Sequence, residues 1–345
     1  MQFTQRRLIA GGTFVAALVL VVVSFVVADA LHTSRAPAHI RIEATPIVSF
    51  DTRDPSRTRF GALEFRGGLA LVSNYKAFGG VSALHIDPDG AHFLAVTDNG
   101  SWLRGRIVYR GGRPAGIADA EMAPMLGPDG KPLFERGWYD AESLTLGNDG
   151  LYYVGIERVE KIVRFDYRRD GFAARAQEVP VPGDFKTFTY NKSLECLASP
   201  PRGSPKADDL IVVTEHSLDA AGNHRAYLLN GAHVVRFSVK RTDDFDVSDC
   251  TVLAPDDLLL LERRFWVARG IAVRIRRLRL DDMKQDALVD GPTVLEADLA
   301  YQIDNMEGIA VTRNAQGETI ITLVSDDNFS PIQRNLLLQF ALVEH

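Results

Sequence analysis

Short apolar runs separated by polar turns dominate the chain, and they recur in pairs. "VSALHIDPDGAHFLAVTDNG" (Val81 to Gly100), "AESLTLGNDGLYYVGIER" (Ala141 to Arg158), "LECLASPPRGSPKADDLIVVTEH" (Leu194 to His216), "SDCTVLAPDDLLLLERR" (Ser248 to Arg264) and "NMEGIAVTRNAQGETIITLVSDDN" (Asn305 to Asn328) share one plan. A first apolar run leads to a turn, and a second run follows that is apolar at nearly every position. The turns "DPDG", "GNDG" and "PDD" suit a β-hairpin: Pro fixes φ, Gly allows φ > 0, and Asn/Asp bond their own backbone. Runs such as "FLAVTD", "LIVVTE" and "LLLLE" are too uniformly apolar for a half-exposed strand, so they predict strands buried on both faces.

A third strand with softer alternation follows each pair, as in "RGRIVYR", "KIVRFDY", "HVVRFSV", "VRIRRLRL" and "LLLQFAL", and a fourth follows in places. Units of three to four strands repeating about every 56 residues predict an all-β fold, a β-propeller. Five units are plain. "HIRIEATPIVSF" is placed as the fourth strand of the last unit, closing the ring. That leaves "FGALEFRGGLALVS" (Phe60 to Ser73) as a degenerate sixth unit. Six blades are expected, with five as the alternative. "DDMKQDALVDGPTVLEADLA" (Asp281 to Ala300) reads as a polar surface connection.

The hairpins are bracketed by acids, which are costly inside strands. The opening positions align as Ser82, Glu142, Glu195, Asp249 and Glu307; the closing ones align as Asp98, Glu157, Glu215, Glu262 and Asp326. In a propeller, equivalent positions of inner strands form rings around the channel. Carboxylates facing one space repel, so they need protons, basic partners or a cation. Hard cations, above all Ca²⁺, suit such oxygen donors. Glu142, Glu195, Asp249, Glu307, Asp98, Glu157, Glu215 and Asp326 are therefore the candidate metal ligands. A structural role competes: repeat acids also accept N–H bonds from neighbouring blades. Lys192, Arg158, Arg263 and His216 stand beside these acids and are the candidate substrate-binding groups, with Arg264 in reserve. Arg136, Trp138 and Tyr139 lie in a Gly/Pro-rich loop and border a ligand mouth.

Ahead of the repeats, Arg6 and Arg7 precede an uncharged run from Leu8 to Ala28, then Ala28-Asp29-Ala30. This has the form of a secretory signal over residues 1–30; the alternative is an uncleaved membrane anchor through residues 8–28. The Arg pair fits twin-arginine export loosely. Either way residues 31–345 form one propeller domain outside the cytoplasm, periplasmic or secreted. The net charge of −6 argues against a nucleic-acid partner, and a monomer is expected. Two cysteines, Cys196 and Cys250, exclude a disulfide-rich scaffold. They follow consecutive opening acids. A disulfide needs Cα atoms about 4.4–6.8 Å apart, and two small unpaired core residues are the expectation.

The motifs "FGGVSALHIDPDG", "WYDAESLTLGNDGLYYVGIER", "YNKSLECLA", "LLLLERRF" and "DNMEGIAV" resemble the phytase-like family, also called esterase-like activity of phytase, from Phe78 to Val343. The resemblance implies an exported bacterial β-propeller, hydrolysis of phosphate or carboxylate esters, and a use of Ca²⁺ like that of phytase relatives. No catalytic set is carried over. Ser82 in "GGVSAL" lacks the second Gly of G-x-S-x-G and opens a strand, which speaks against a nucleophile elbow. A propeller that binds a small ligand, glycan or protein without catalysis is the alternative, because the scaffold hosts many functions.

Overall fold

The computed structural model describes residues 33–253, 255–266 and 270–343; the predicted signal or anchor of residues 1–30 lies outside them. No described helix is long and apolar enough to cross a membrane. The strands form five sheets. Their inner strands are Val81–Ile86, Ala141–Leu146, Cys196–Ala198, Asp246–Leu253 and Asn305–Arg313. Each touches the next, and the last touches the first, so the ring closes with five blades and not six.

The corrected count follows from closure. "LEFRGGLALVS" (Leu63–Ser73) is not a separate unit but the fourth strand of blade five, paired with the C-terminal strand Asn335–Leu342. Ile42–Ile47 adds to it as a fifth strand. The Gly67–Gly68 pair admits this segment to an interior position. A Cβ on Gly68 would stand 2.7 Å from Leu338 Cδ2 and 2.9 Å from Leu337 O, so only glycine fits there. Joining N- and C-terminal segments in one blade leaves no open seam in the ring. A second correction concerns residues 281–300. They supply Leu288–Val289, parallel to the outer strand of blade three, and Thr293–Asp298, the outer strand of blade four.

Five hydrophobic clusters fill the layers between blades. The second strand of blade four shows why its sequence is uniformly apolar. Leu259 and Leu261 enter the layer shared with blade five, whereas Leu258 and Leu260 enter the layer shared with blade three. Alternate side chains of one strand thus face two cores. The inner hairpins turn as expected: Gly90, Gly150 and Gly317 hold φ of 72°, 82° and 81°, and Asp89, Asp149 and Asn314 accept backbone N–H bonds within their own turns.

Cys196 and Cys250 form a disulfide, with Cα atoms 5.1 Å apart, linking the inner strands of blades three and four. This overturns the expectation of unpaired cysteines. Cys196 occupies a position whose side chain points at the next blade. Its counterparts do the same: Ser143 Oγ donates to Leu194 O at 2.6 Å, and Asp249 Oδ2 accepts from Ile309 N at 2.8 Å.

Candidate functional site

Each inner strand carries one extra residue relative to its hairpin partner. Val81 pairs with Thr97 and Ala83 with Val96, so Ser82 bulges. Glu142, Ser248 and Glu307 are left out of the ladders of blades two, four and five in the same way. In blade three Glu215 N donates to Ser193 O at 3.1 Å and Cys196 pairs with Val213, which puts Glu195 at the bulge. A bulge re-aims its residue out of the strand face. The structural ring is therefore Ser82, Glu142, Glu195, Ser248 and Glu307. The closing ring, read from the same pairings, is Asp98, Glu157, Glu215, Arg263 and Asp326.

Blade four departs from the sequence alignment by one residue at both positions, and a one-residue slip moves a strand side chain to the opposite face. Asp249 does not reach the channel. Its carboxylate accepts from Cys250 N at 2.7 Å and from Ile309 N of blade five. Glu262 is fully buried between blades, bonded to Arg274 Nε at 2.8 Å and Arg276 Nη2 at 2.6 Å. Arg263 takes the ring position instead.

Apart from the buried Ser82 and Ser248, these rings line a cavity of about 590 Å³ at one end of the channel. Of the candidate ligands, Glu142, Glu195, Glu307, Asp98, Glu157, Glu215 and Asp326 line it, and Asp140 joins them. Arg158, Lys192 and Arg263 line it as well. His216 does not; its Nδ1 lies 2.8 Å from Asp246 Oδ1, beside Arg241. Arg264 stacks on Phe245 and Trp266 away from the cavity. Tyr139 lines the mouth, whereas Arg136 folds over Trp138 outside it. Ser82 is buried, its Oγ donating to Gly80 O at 3.3 Å.

Eight carboxylates thus meet three basic groups. Arg263 Nη1 donates to Asn305 Oδ1 at 2.5 Å and to Glu307, and Nη2 lies 3.5 Å from Glu215 and 4.0 Å from Glu195. Burial works against its charge, but Glu307, Glu195, Glu215 and Glu142 outweigh that and hold it firmly protonated. Arg158 donates to Asp140 at 2.5 Å, to Asn191 at 2.9 Å and to the Tyr139 hydroxyl at 2.9 Å. Lys192 Nζ lies 3.6 Å from Glu215.

The remaining acids are under pressure to stay protonated. Burial, then Asp140, Glu307, Glu157 and Asp98, push Glu142 well above the usual carboxylate range. Glu195 is pushed the same way by burial and by Glu142, Glu215 and Glu157, against Arg263. Burial raises Glu157 to about 8 although Ser193 N donates to it. Burial also raises Glu307, opposed by Arg263, and raises Asp326, reinforced by Glu307 and Asp98. Glu157, Glu195 and Glu215 each offer a ligand atom, all within 4.8 Å of one another. Glu195 Oε2 is buried and, among the described residues, accepts no hydrogen bond. An orphaned buried oxygen among close carboxylates fits a hard cation.

The lining is also conformationally strained. Among the described residues, ten non-glycine residues hold positive φ, and five of them line this cavity: Asp140, Arg158, Asn191, Asn328 and Phe329. Such outliers persist where surrounding contacts hold a site in place. Asp140 and Asn305, two residues before the bulges, were not singled out from sequence. Nor were Phe265, Ile271 and Phe329 at the mouth. "YDAES" and "DNMEG" place a polar residue two positions before the ring acid, which is the signal that could have found the first pair.

The family comparison decides the kinship. The phytase-like family, described as esterase-like activity of phytase, matches residues 76–329, well over half of the chain. The chain belongs to the phytase-like family. No curated protein matches it significantly. Among solved structures, endo-arabinase from Bacteroides thetaiotaomicron is 10% identical, with a TM-score of 0.45 over 78% of this phytase-like chain and 95% of its own. An inactive variant of virginiamycin B lyase from Staphylococcus aureus, solved with quinupristin, is 15% identical, with a TM-score of 0.41 over 88% and 100%.

Proposed function

We propose that this phytase-like propeller is an exported, divalent-cation-dependent hydrolase of phosphate or carboxylate esters, with its site in the acidic cavity. The observation that carries the reading is the Glu157, Glu195 and Glu215 cluster, with its ligand atoms within 4.8 Å and Glu195 Oε2 unpartnered. These three would hold the cation, with Ca²⁺ the first candidate. When bound, the cation neutralises the cluster and polarises an ester oxygen.

The chain's own groups supply the rest. Lys192 and Arg158 line the mouth and take the anionic part of a small ester. Glu142 and Glu195 are buried, so bulk water does little to screen their charges. The uncharged run at residues 8–28 and the Cys196–Cys250 disulfide support export to an oxidising compartment.

The test is thermal unfolding of the chain in EDTA, Ca²⁺ and Mg²⁺, with turnover of p-nitrophenyl phosphate and p-nitrophenyl acetate in each. A cation that binds only the folded state raises the midpoint by mass action. The expected result is a Ca²⁺-dependent rise and cation-dependent turnover, both lost in Glu195→Gln. A midpoint indifferent to cations, together with no turnover, would sink the reading.

A further inference from the structure

The cavity is not acidic throughout. Phe265, Ile271, Phe329 and Tyr139 line its mouth. Phe265 is 70% exposed and, unlike a lone surface apolar side chain, stands with Ile271 and Phe329 in the lining of one polar cavity. Phe265 pairs with Ile271 in the part of the blade-four hairpin that runs past the last pair with the inner strand, Asp246 with Arg263. Side chains alternate along this arm. Arg264 turns to Phe245 and Trp266, so Phe265 faces the cavity and lies two residues beyond Arg263. A bare metal ion has no use for such a wall, because its ligands are oxygens.

Below the wall, two buried acids are short of counter-charge. Glu142 is 8% exposed and Glu195 4%. Glu195 Oε2 accepts no hydrogen bond. Glu142 shares the cavity lining with seven other carboxylates. The basic groups relieve them little: Arg158 is committed to Asp140, Asn191 and Tyr139, Lys192 lies beside Glu215, and Arg263 bonds Glu307 and Asn305 and comes only to 4.0 Å from Glu195. A ligand that satisfies both features carries positive charge at one end and apolar surface at the other. With no metal ion to offset them, an anion of the same shape meets the excess of carboxylates.

We propose that the cavity is a binding site for an organic cation, an alkyl- or arylammonium group whose charged head sits against Glu142 and Glu195 and whose apolar body lies on Phe265, Ile271 and Phe329. Attraction of an ammonium to carboxylates and to the face of an aromatic ring is the general basis of such recognition. The proposal goes beyond ester hydrolysis and holds whether or not the site turns over an ester.

Isothermal titration of the EDTA-treated protein at low ionic strength tests it, with benzyltrimethylammonium, the neutral benzyl alcohol and the anionic benzenesulfonate as probes. The ammonium is expected to bind one per chain and more tightly than either of the others. Phe265→Ala, an exposed change that leaves the core untouched, should weaken it on the order of tenfold. Glu142→Gln should weaken it as well, and Val48→Ala, exposed and outside the cavity, should not. Benzyltrimethylammonium binding no tighter than benzyl alcohol would overturn the proposal, as would full binding by Phe265→Ala. Ca²⁺ binding without ammonium binding would remove this proposal and leave the cation-dependent hydrolase standing. Ammonium binding without any Ca²⁺ response would do the reverse.

Discussion

Removing the Cys196–Cys250 disulfide probes both the ring closure and the site. The bond spans 54 residues of sequence, from the inner strand of blade three to that of blade four. Cross-linking a loop of that length removes about 14 cal/mol/K of entropy from the unfolded chain, or about 4 kcal/mol at 25 °C. A folded unit of roughly 310 residues has an unfolding entropy of about 0.65 kcal/mol/K, so the midpoint should fall by about 6 °C. The double variant Cys196→Ala, Cys250→Ala is compared with the parent by calorimetry and by guanidinium unfolding, each with and without Ca²⁺. The residue before Cys196 is the ring acid Glu195, so any response to Ca²⁺ should weaken along with stability. Thiol titration of the denatured parent, without reductant, is the refuting measurement. Two free thiols per chain would mean that the bond does not form. A loss below about 1 kcal/mol would mean that the two inner strands are held without it.

Other perturbations separate the channel from the inter-blade layers. Between pH 6.5 and 8 the raised Glu157, at about 8, binds a proton in the folded state that the unfolded chain has lost. In EDTA, stability should therefore fall as pH rises through that window, by up to about 1.4 kcal/mol per unit for each such proton. His224 acts in the opposite sense and only below this window. Burial lowers it to about 4, so its contribution is present above pH 6.5 and is lost as pH falls. Thermal midpoints across pH 5 to 9 check both signs, and a rising midpoint from 6.5 to 8 would contradict the assignment of Glu157. Arg263→Gln strips the buried counter-charge from Glu307, Glu215 and Glu195 and should cost about 3–5 kcal/mol in EDTA, read by denaturant unfolding. Asp249→Asn should cost about 1–3 kcal/mol, because an amide has one acceptor oxygen for the two N–H groups of Cys250 and Ile309, while leaving any Ca²⁺ shift intact. Glu195→Gln should abolish that shift at little cost in EDTA, because it relieves like-charge crowding.

Much of the fold was legible because propeller blades repeat a local pattern: a hairpin turn, a doubly buried second strand and an acid at either end. What the pattern hid was register. In blade four, "SDCTV" and "LERR" put an acid directly beside each true ring position. Matching by acidity therefore selected Asp249 and Glu262, whereas the ladder selects Ser248 and Arg263. Adjacent strand residues face opposite sides, so the slip exchanged two inter-blade fasteners for two channel groups. The bulge that sets the register leaves no mark in composition; it is seen only when both strands of the hairpin are paired. The same slip obscured the disulfide, since Cys196 directly follows its bulge while Cys250 lies two residues past Ser248. The blade-count error had a different origin, because Leu63–Ser73 reads as a free hairpin until the C-terminal strand is laid beside it. The consequence for function lies in Arg263. Four blades place a carboxylate at the closing position, and blade four places a guanidinium there, within reach of acids from blades three and five. The ring thus carries one internal counter-charge, shared among Glu307, Glu215 and Glu195 and too little to neutralise them and Glu142 together, and that deficit is what a bound cation would fill.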